Sequence, residues 1–137
     1  MNIAERFLAY AADFEKAYAD DDWSRLQQYF TPDAIYKNEP KYPGRTALIE
    51  NFKRRVDAFD RTMASRSLEF QPPSADGNTV TARWQSRYTN PGLPDLVFSG
   101  SEFAIFRDEL IEALRDELDA GAESSIRSWL VQHRRAR

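Results

Sequence analysis

The chain contains no cysteine and a single histidine, His133. Disulfides, thiolate metal sites and cysteine nucleophiles are therefore excluded, as is any site built on several imidazoles. No apolar stretch approaches the roughly 20 residues that cross a bilayer. The opening MNIAERFLAYAADFEKA is broken by charges and does not read as a signal peptide. Nineteen Lys and Arg stand against 22 Asp and Glu, a net charge of −3, so no overall positive field invites nucleic acid. The one dense basic run, His133-Arg134-Arg135-Ala136-Arg137, closes the chain, where it complements a helix dipole. Repeats, linkers and low-complexity tracts are lacking as well. The expectation is one cytoplasmic domain over residues 1–137, without metal, cofactor, nucleic-acid partner or membrane contact.

Aromatic residues are what the chain has in quantity: nine Phe, six Tyr and three Trp, enough to fill one core. Residues 2–20 predict an amphipathic helix with Ile3, Phe7, Tyr10, Ala11, Phe14 and Tyr18 on one stripe. Asp22 is placed to cap a short helix at about 23–30, and Thr31-Pro32-Asp33 reads as a turn. A strand follows at Ala34–Asn38, then a Pro- and Gly-containing loop. A helix over about 45–61 carries the stripe Leu48, Ile49, Phe52, Val56, Phe59. From residue 65 the pattern alternates. Strands are expected at Ser67–Gln71, at Thr79–Thr89 after the turn Asp76-Gly77-Asn78, and at Leu96–Arg107. A last amphipathic helix spans Ser124–Arg135. Helices first and strands after them indicate an α+β domain, with helices packed over one face of an antiparallel sheet.

Ser101–Asp119 admits two readings. Phe103, Phe106, Leu110, Leu114 and Leu118 recur at three or four, as in a helix. Two strands joined by a tight turn instead place Phe98, Glu102, Ala104 and Phe106 on one face of the first, and Leu114, Asp116 and Leu118 on one face of the second. A carboxylate among apolar neighbours is then the informative feature, because burying an unpaired charge is costly. Register decides whether the two carboxylates meet. A three-residue turn at 108–110 pairs Glu102 with Asp116, and a two-residue turn at 108–109 pairs Glu102 with Arg115.

The order of elements, with DDDWSRLQQYFTPDAIY, PGRTALIENF and FSGSEFAIFRDELIEALRDELD, resembles the nuclear transport factor 2-like superfamily and, within it, the SnoaL-like domains. The resemblance implies a cone: a strongly curved sheet around a pocket closed by helices, with 101–119 as a hairpin. Ile35-Tyr36-Lys37-Asn38-Glu39-Pro40 and Arg115-Asp116-Glu117-Leu118-Asp119 are similar to two segments of limonene epoxide hydrolases. There a Tyr, an Asn and an Asp hold and deprotonate water, roles that fall on Tyr36, Asn38 and Asp116. The Arg and second Asp that handle the epoxide fall on Arg83 and Gln85, and an amide cannot donate a proton as a carboxylic acid does. Against ketosteroid isomerases, the general base falls at Asn38 or, shifted by one, Glu39, the oxyanion Tyr at Phe14, and the protonated Asp at Glu102.

The resemblance therefore implies a catalytic set of Asp116, Tyr36, Asn38, Arg83 and Glu102. Phe14, Phe52, Gln85, Phe98, Phe106, Leu114 and Leu118 are expected to line the pocket. If Arg83 and Gln85 face inward, Val80, Trp84 and Tyr88 face outward and offer a homodimer surface. If that trio is core, Arg83 is on the surface. The implied function is cofactor-free acid/base chemistry of hydrolase or isomerase type on a small apolar organic molecule. The alternative is a non-catalytic ligand-binding or dimerisation module.

Overall fold

The computed structural model describes residues 1–134; Arg135, Ala136 and Arg137, the end of the basic run, lie outside the described residues. Helix α1 spans Ile3–Asp20. A capping box starts it: the Asn2 side chain accepts the Glu5 amide at 2.8 Å, and Glu5 accepts the Asn2 amide at 3.0 Å. Asp21, in the left-handed region at φ 61°, ends it. Trp23–Tyr29 winds as a 3-10 helix. Asp22 does not cap it; its carboxylate instead accepts the Ser24 hydroxyl at 2.6 Å.

Strand β1 runs Phe30–Tyr36 and therefore includes the expected Thr31-Pro32-Asp33 turn. Pro32 is tolerated because β1 is the sheet's edge, where the ladder asks for no amide on one side. Helix α2 (Arg45–Ala58) follows, then β2 (Ser65–Phe70), the short β3 (Ser74–Asp76), β4 (Thr79–Thr89), β5 (Leu96–Arg107), β6 (Leu110–Leu118) and helix α3 (Ala122–Arg134). Ser101–Asp119 is thus a strand hairpin, not a helix.

The six strands form one curved, unclosed sheet in the order β1-β6-β5-β4-β2, with β3 also paired to β4. All pairings are antiparallel except β1 with β6, which makes the sheet mixed. Burial follows strand parity. Val80, Ala82, Ser86 and Tyr88 of β4 are buried, while Arg83, Gln85 and Arg87 are exposed. The helices cover the concave face. Phe7, Tyr10, Leu26, Phe30, Leu48, Phe52, Val80 and Phe106 belong to the main core. A second cluster, centred on Met63, Tyr88, Leu96 and Trp129, docks α3, and Trp129 Nε1 donates to the Pro94 carbonyl at 3.0 Å.

The β5–β6 hairpin has a two-residue turn at Asp108-Glu109, since Arg107 pairs with Leu110. The positive φ falls on Asp108, at 58°, a residue type that tolerates the left-handed region better than Glu does. Phe106 then pairs with Ile111 but Ile105 with Ala113, so Glu112 is an extra residue, a β-bulge. The bulge shifts everything beyond it by one, and Glu102 pairs with Asp116 despite the short turn.

Gly100 faces Trp84 across β4 and β5, and a Cβ there would lie 2.6 Å from Trp84 Cζ2 and 2.5 Å from the Glu117 carbonyl oxygen. The indole rests on bare backbone. Gly100→Ala is expected to destabilise the fold by about 1–3 kcal/mol through overpacking, read as a lower urea midpoint. A midpoint unchanged from wild type would mean that the indole does not need this space.

Candidate functional site

Parity and register converge on the middle of the concave face. Glu102 on β5 faces Asp116 on β6, and Tyr36 at the end of β1 sits beside β6 through its pairing with Leu114. The Tyr36 hydroxyl donates to Asp116 Oδ2 at 2.7 Å. Lys37 still makes a ladder bond, its amide donating to the Leu114 carbonyl at 2.8 Å. Beyond it, the Asn38 side chain extends the ladder. Its Nδ2 donates to the Asp116 carbonyl oxygen and its Oδ1 accepts the Asp116 amide, both at 2.8 Å. The amide group thus behaves as one more peptide unit of β1 and clamps the backbone of Asp116. It was expected to orient a water or a substrate carbonyl, but both its polar atoms are engaged.

Glu102 is 9% exposed. Burial raises its carboxyl pKa well above the ordinary 4.5, and the facing Asp116 charge and hydrogen bond raise it further, against the opposing pull of Arg55. Burial and the facing carboxylate thus favour the protonated form of Glu102. Tyr36 is likewise pushed far up by burial and then by Asp116, so its hydroxyl remains a donor. Arg55, from α2, sits over the Tyr36 ring with Cζ 5.2 Å from the centroid, and its Nε lies 3.3 Å from Glu39. Tyr10, from α1, is buried close by, and its pKa is raised by burial and then by Glu102, Asp116 and Tyr36.

These groups open onto a cavity of about 670 Å³. Phe14, Phe52, Phe98, Leu114 and Leu118 line it, with Trp84 and Tyr88. A second polar cluster lies along its wall. The Arg66 guanidinium, with its side chain 5% exposed, is held by Glu15 at 2.7 Å and Asp60 at 2.9 Å, and Asp60 accepts the Tyr88 hydroxyl at 2.9 Å.

Several expectations are corrected. Arg83 points to the outer face, where it grips Asp119 through two bonds of 2.6 Å and Ser101 Oγ at 3.0 Å. Gln85 shares that outer parity and is exposed, so it lines no cavity. Phe106 lies towards the turn and is packed into the main core. Val80, at 0% exposure, and Tyr88, at 4%, are interior, and Trp84 lines the cavity, so this trio forms no dimer surface. Tyr36, Asn38, Glu102 and Asp116 are brought together; Arg83 is not.

Tyr10, Arg55 and Arg66 were missed. Tyr10 stands one turn before Phe14 on the same stripe. Arg66 shares its parity with Leu68 and Phe70, the kind of charge on an apolar strand face that singles out Glu102; a strand started at Ser67 leaves it out. Arg55 flanks the apolar stripe of α2, and only the position of Tyr36 gives it meaning.

The model of the SnoaL-like domain matches residues 11–114, which is most of the chain. The protein belongs to the SnoaL-like family. Solved structures agree on the fold. TsrD from Streptomyces laurentii superposes with a TM-score of 0.68 at 17% identity, covering 92% of this chain and 95% of that one. An NTF2-like protein of unknown function from Burkholderia pseudomallei gives 0.65 at 15%, covering 94% and 98%. TerC, co-crystallised with polyporic acid, gives 0.64 at 15%, covering 93% and 96%. No curated protein matches the sequence.

The raised pKa of Glu102 has a consequence for stability. Above its ordinary value of 4.5 the unfolded chain releases a proton that the folded protein keeps. Folding is then progressively disfavoured as pH rises from there towards the folded-state pKa. Glu102→Gln cannot ionise, so its melting temperature is expected to decline less than that of wild type over this range. Parallel melting profiles for the two proteins would show that Glu102 ionises as freely in the fold as out of it.

Proposed function

We propose that this SnoaL-like protein is an acid/base enzyme that moves a proton on a small, largely apolar organic molecule bound in the cavity. Asp116 takes the proton, and protonated Glu102 donates a hydrogen bond or a proton to an oxygen of the substrate. The observation that carries this reading is the direct pairing of a buried carboxyl with a carboxylate whose other partner is the Tyr36 hydroxyl. Two carboxyls in different environments divide the acid and base roles between them. Tyr36 and the Asn38 clamp fix the base, and Tyr10 adds a hydroxyl beside the acid. The cavity volume of about 670 Å³ suits a small ligand, and a neighbour of the same fold, TerC, was crystallised with an organic molecule, polyporic acid.

Directly paired residues of adjacent strands have Cα atoms only about 4.5–5.5 Å apart. Acid and base therefore approach the substrate from one side. That favours proton removal and return on one face of a molecule, as in enolisation and isomerisation, over in-line opening of an epoxide, which needs attacker and acid on opposite sides.

The test is exchange of C–H for deuterium in 2-tetralone, followed by proton NMR, alongside hydrolysis of styrene oxide. Exchange is expected, faster than epoxide opening. Asp116→Asn should lower it by about 10²–10⁴-fold, the usual worth of a general base. Equal exchange by wild type and Asp116→Asn removes Asp116 as the base. A second reading, a carrier that binds without turnover, draws on Asn38 being spent on the backbone of Asp116. Binding of the ketone with neither exchange nor hydrolysis would favour it.

A further inference from the structure

The carboxylates lining the cavity fall into two groups. Glu15 and Asp60 are neutralised in part by Arg66, at 2.7 and 2.9 Å, and Glu123 pairs with Arg127 at 3.2 Å. Asp116 and Glu102 form no ion pair among the described residues, and Arg55, whose charge acts on both, is bonded to Glu39 at 3.3 Å. Even with one proton between them, the pair leaves a negative charge on the half-buried Asp116, beside the buried Glu102. A buried charge is ordinarily paired, because desolvation costs more than distant screening returns. Among the described residues no cation is in ion-pair contact with the two carboxyls where the cavity reaches them, and Arg55 acts on them only from a distance. The wall around that point is aromatic: Phe14, Tyr36, Phe52, Trp84 and Phe98 line the same space. Faces of aromatic rings attract cations. With Glu102 protonated and Glu123 paired to Arg127, Glu15, Asp60 and Asp116 of the lining face Arg55 and Arg66, and Arg55 is itself bonded to Glu39. This excess repels anions and raises the local concentration of cations.

We propose that the cavity takes organic cations: an aromatic or apolar body carrying a positively charged nitrogen that meets the Asp116–Glu102 pair. The inference rests on reading this cavity as the substrate site and names the class of molecule that enters it. The two readings agree chemically, since a C–H bond next to a cationic nitrogen is acidified and easier for a carboxylate to deprotonate. The groups facing Glu102 are Asp116 from β6, Tyr36 from β1, Tyr10 from α1 and Arg55 from α2. Both phenols hold their protons and Arg55 its charge, so the proton of Glu102 is the one that leaves as pH rises. A permanently charged ligand should then bind more tightly.

The experiment is calorimetric titration at low salt with two probes of one shape, (2-naphthylmethyl)trimethylammonium and the uncharged 2-neopentylnaphthalene, and with the smaller anion 2-naphthylacetate. The cation is expected to bind about tenfold or more tightly than the hydrocarbon, with the anion weakest. Its affinity should rise with pH in wild type and stay level in Glu102→Gln. Asp116→Asn should bring the cation to within about twofold of the hydrocarbon, given the loss of its charge partner. Hydrocarbon or anion binding as tightly as the cation would overturn the proposal, as would a cation preference that survives Asp116→Asn. A pH dependence retained in Glu102→Gln would overturn the part given to Glu102. Binding of no probe would overturn it together with the reading of the cavity as a ligand site. Deuterium exchange lost in Asp116→Asn without cation preference removes this inference and leaves the catalytic reading. Cation preference without exchange does the reverse.

Discussion

The bulge at Glu112 sets the register on which the site depends. The two-residue turn would place Glu102 opposite Arg115, whose side chain belongs to the outer face. The extra residue shifts the ladder by one and brings Asp116 opposite Glu102 instead. A one-residue shift moves every side chain of a strand to the other face. Because the bulge lies between the turn and the site, Ile111 and Leu114 can both be buried although they are three residues apart. The turn keeps its short form, with its one positive φ on Asp108, and the apolar face of β6 still meets that of β5.

Bringing a buried and a half-buried carboxyl together is the price of this register, and the surrounding side chains limit it. Protonation of Glu102 removes one of the two charges. Tyr36 donates to the remaining carboxylate. Asn38 leaves neither the amide nor the carbonyl of Asp116 to water, replacing the peptide that β1 no longer supplies after Lys37. Hydrogen bonds to charged groups are worth about 1.5–3 kcal/mol each. One such bond reduces the desolvation penalty without abolishing it. The Arg66 cluster solves the same problem differently: a buried guanidinium is held by two carboxylates and stacked on Tyr18, with Cζ 4.5 Å from the ring centroid. One polar group on the concave face is satisfied within the chain, and the other is left open to the cavity.

The features that could be read from the sequence are those that periodicity encodes. Alternation along β5 put Glu102 and Ala104 on one face and alternation along β4 split Val80 and Ala82 from Arg83 and Gln85 without saying which set faces inward, while the stripe of α1 marked the helix that covers the sheet. Pro32 misled because proline marks both turns and edge strands, and only the neighbour of β1 separates the two. The register of the hairpin could not be read from turn length, since a bulge has no fixed sequence mark. Arg55 and Tyr10 acquire their roles from residues about 20 to 100 positions away. Asn38 was found by its position in a motif, but its role changed, because whether an amide faces water or backbone depends on where the neighbouring strand ends.

Strand parity also divides the segment Arg115-Asp116-Glu117-Leu118-Asp119. Asp116 faces the cavity, while Arg115 lies over Phe103, with Cζ 4.1 Å from the ring centroid, and Asp119 holds Arg83 on the outer face. A motif that looks like one catalytic unit is thus half site and half outer surface. The acid expected two residues from Arg83 is not there. On the function proposed above, Glu102 on the next strand takes its place. That exchange moves acid and base from opposite sides of a substrate to adjacent positions on one wall. Neighbouring carboxyls cannot bracket a displacement, but they can hand one proton between two atoms of a bound molecule, because the proton that Asp116 gains is close to the one that Glu102 can give. The geometry of the pair, more than the identity of either residue, therefore separates this site from the epoxide-opening arrangement its motifs resemble.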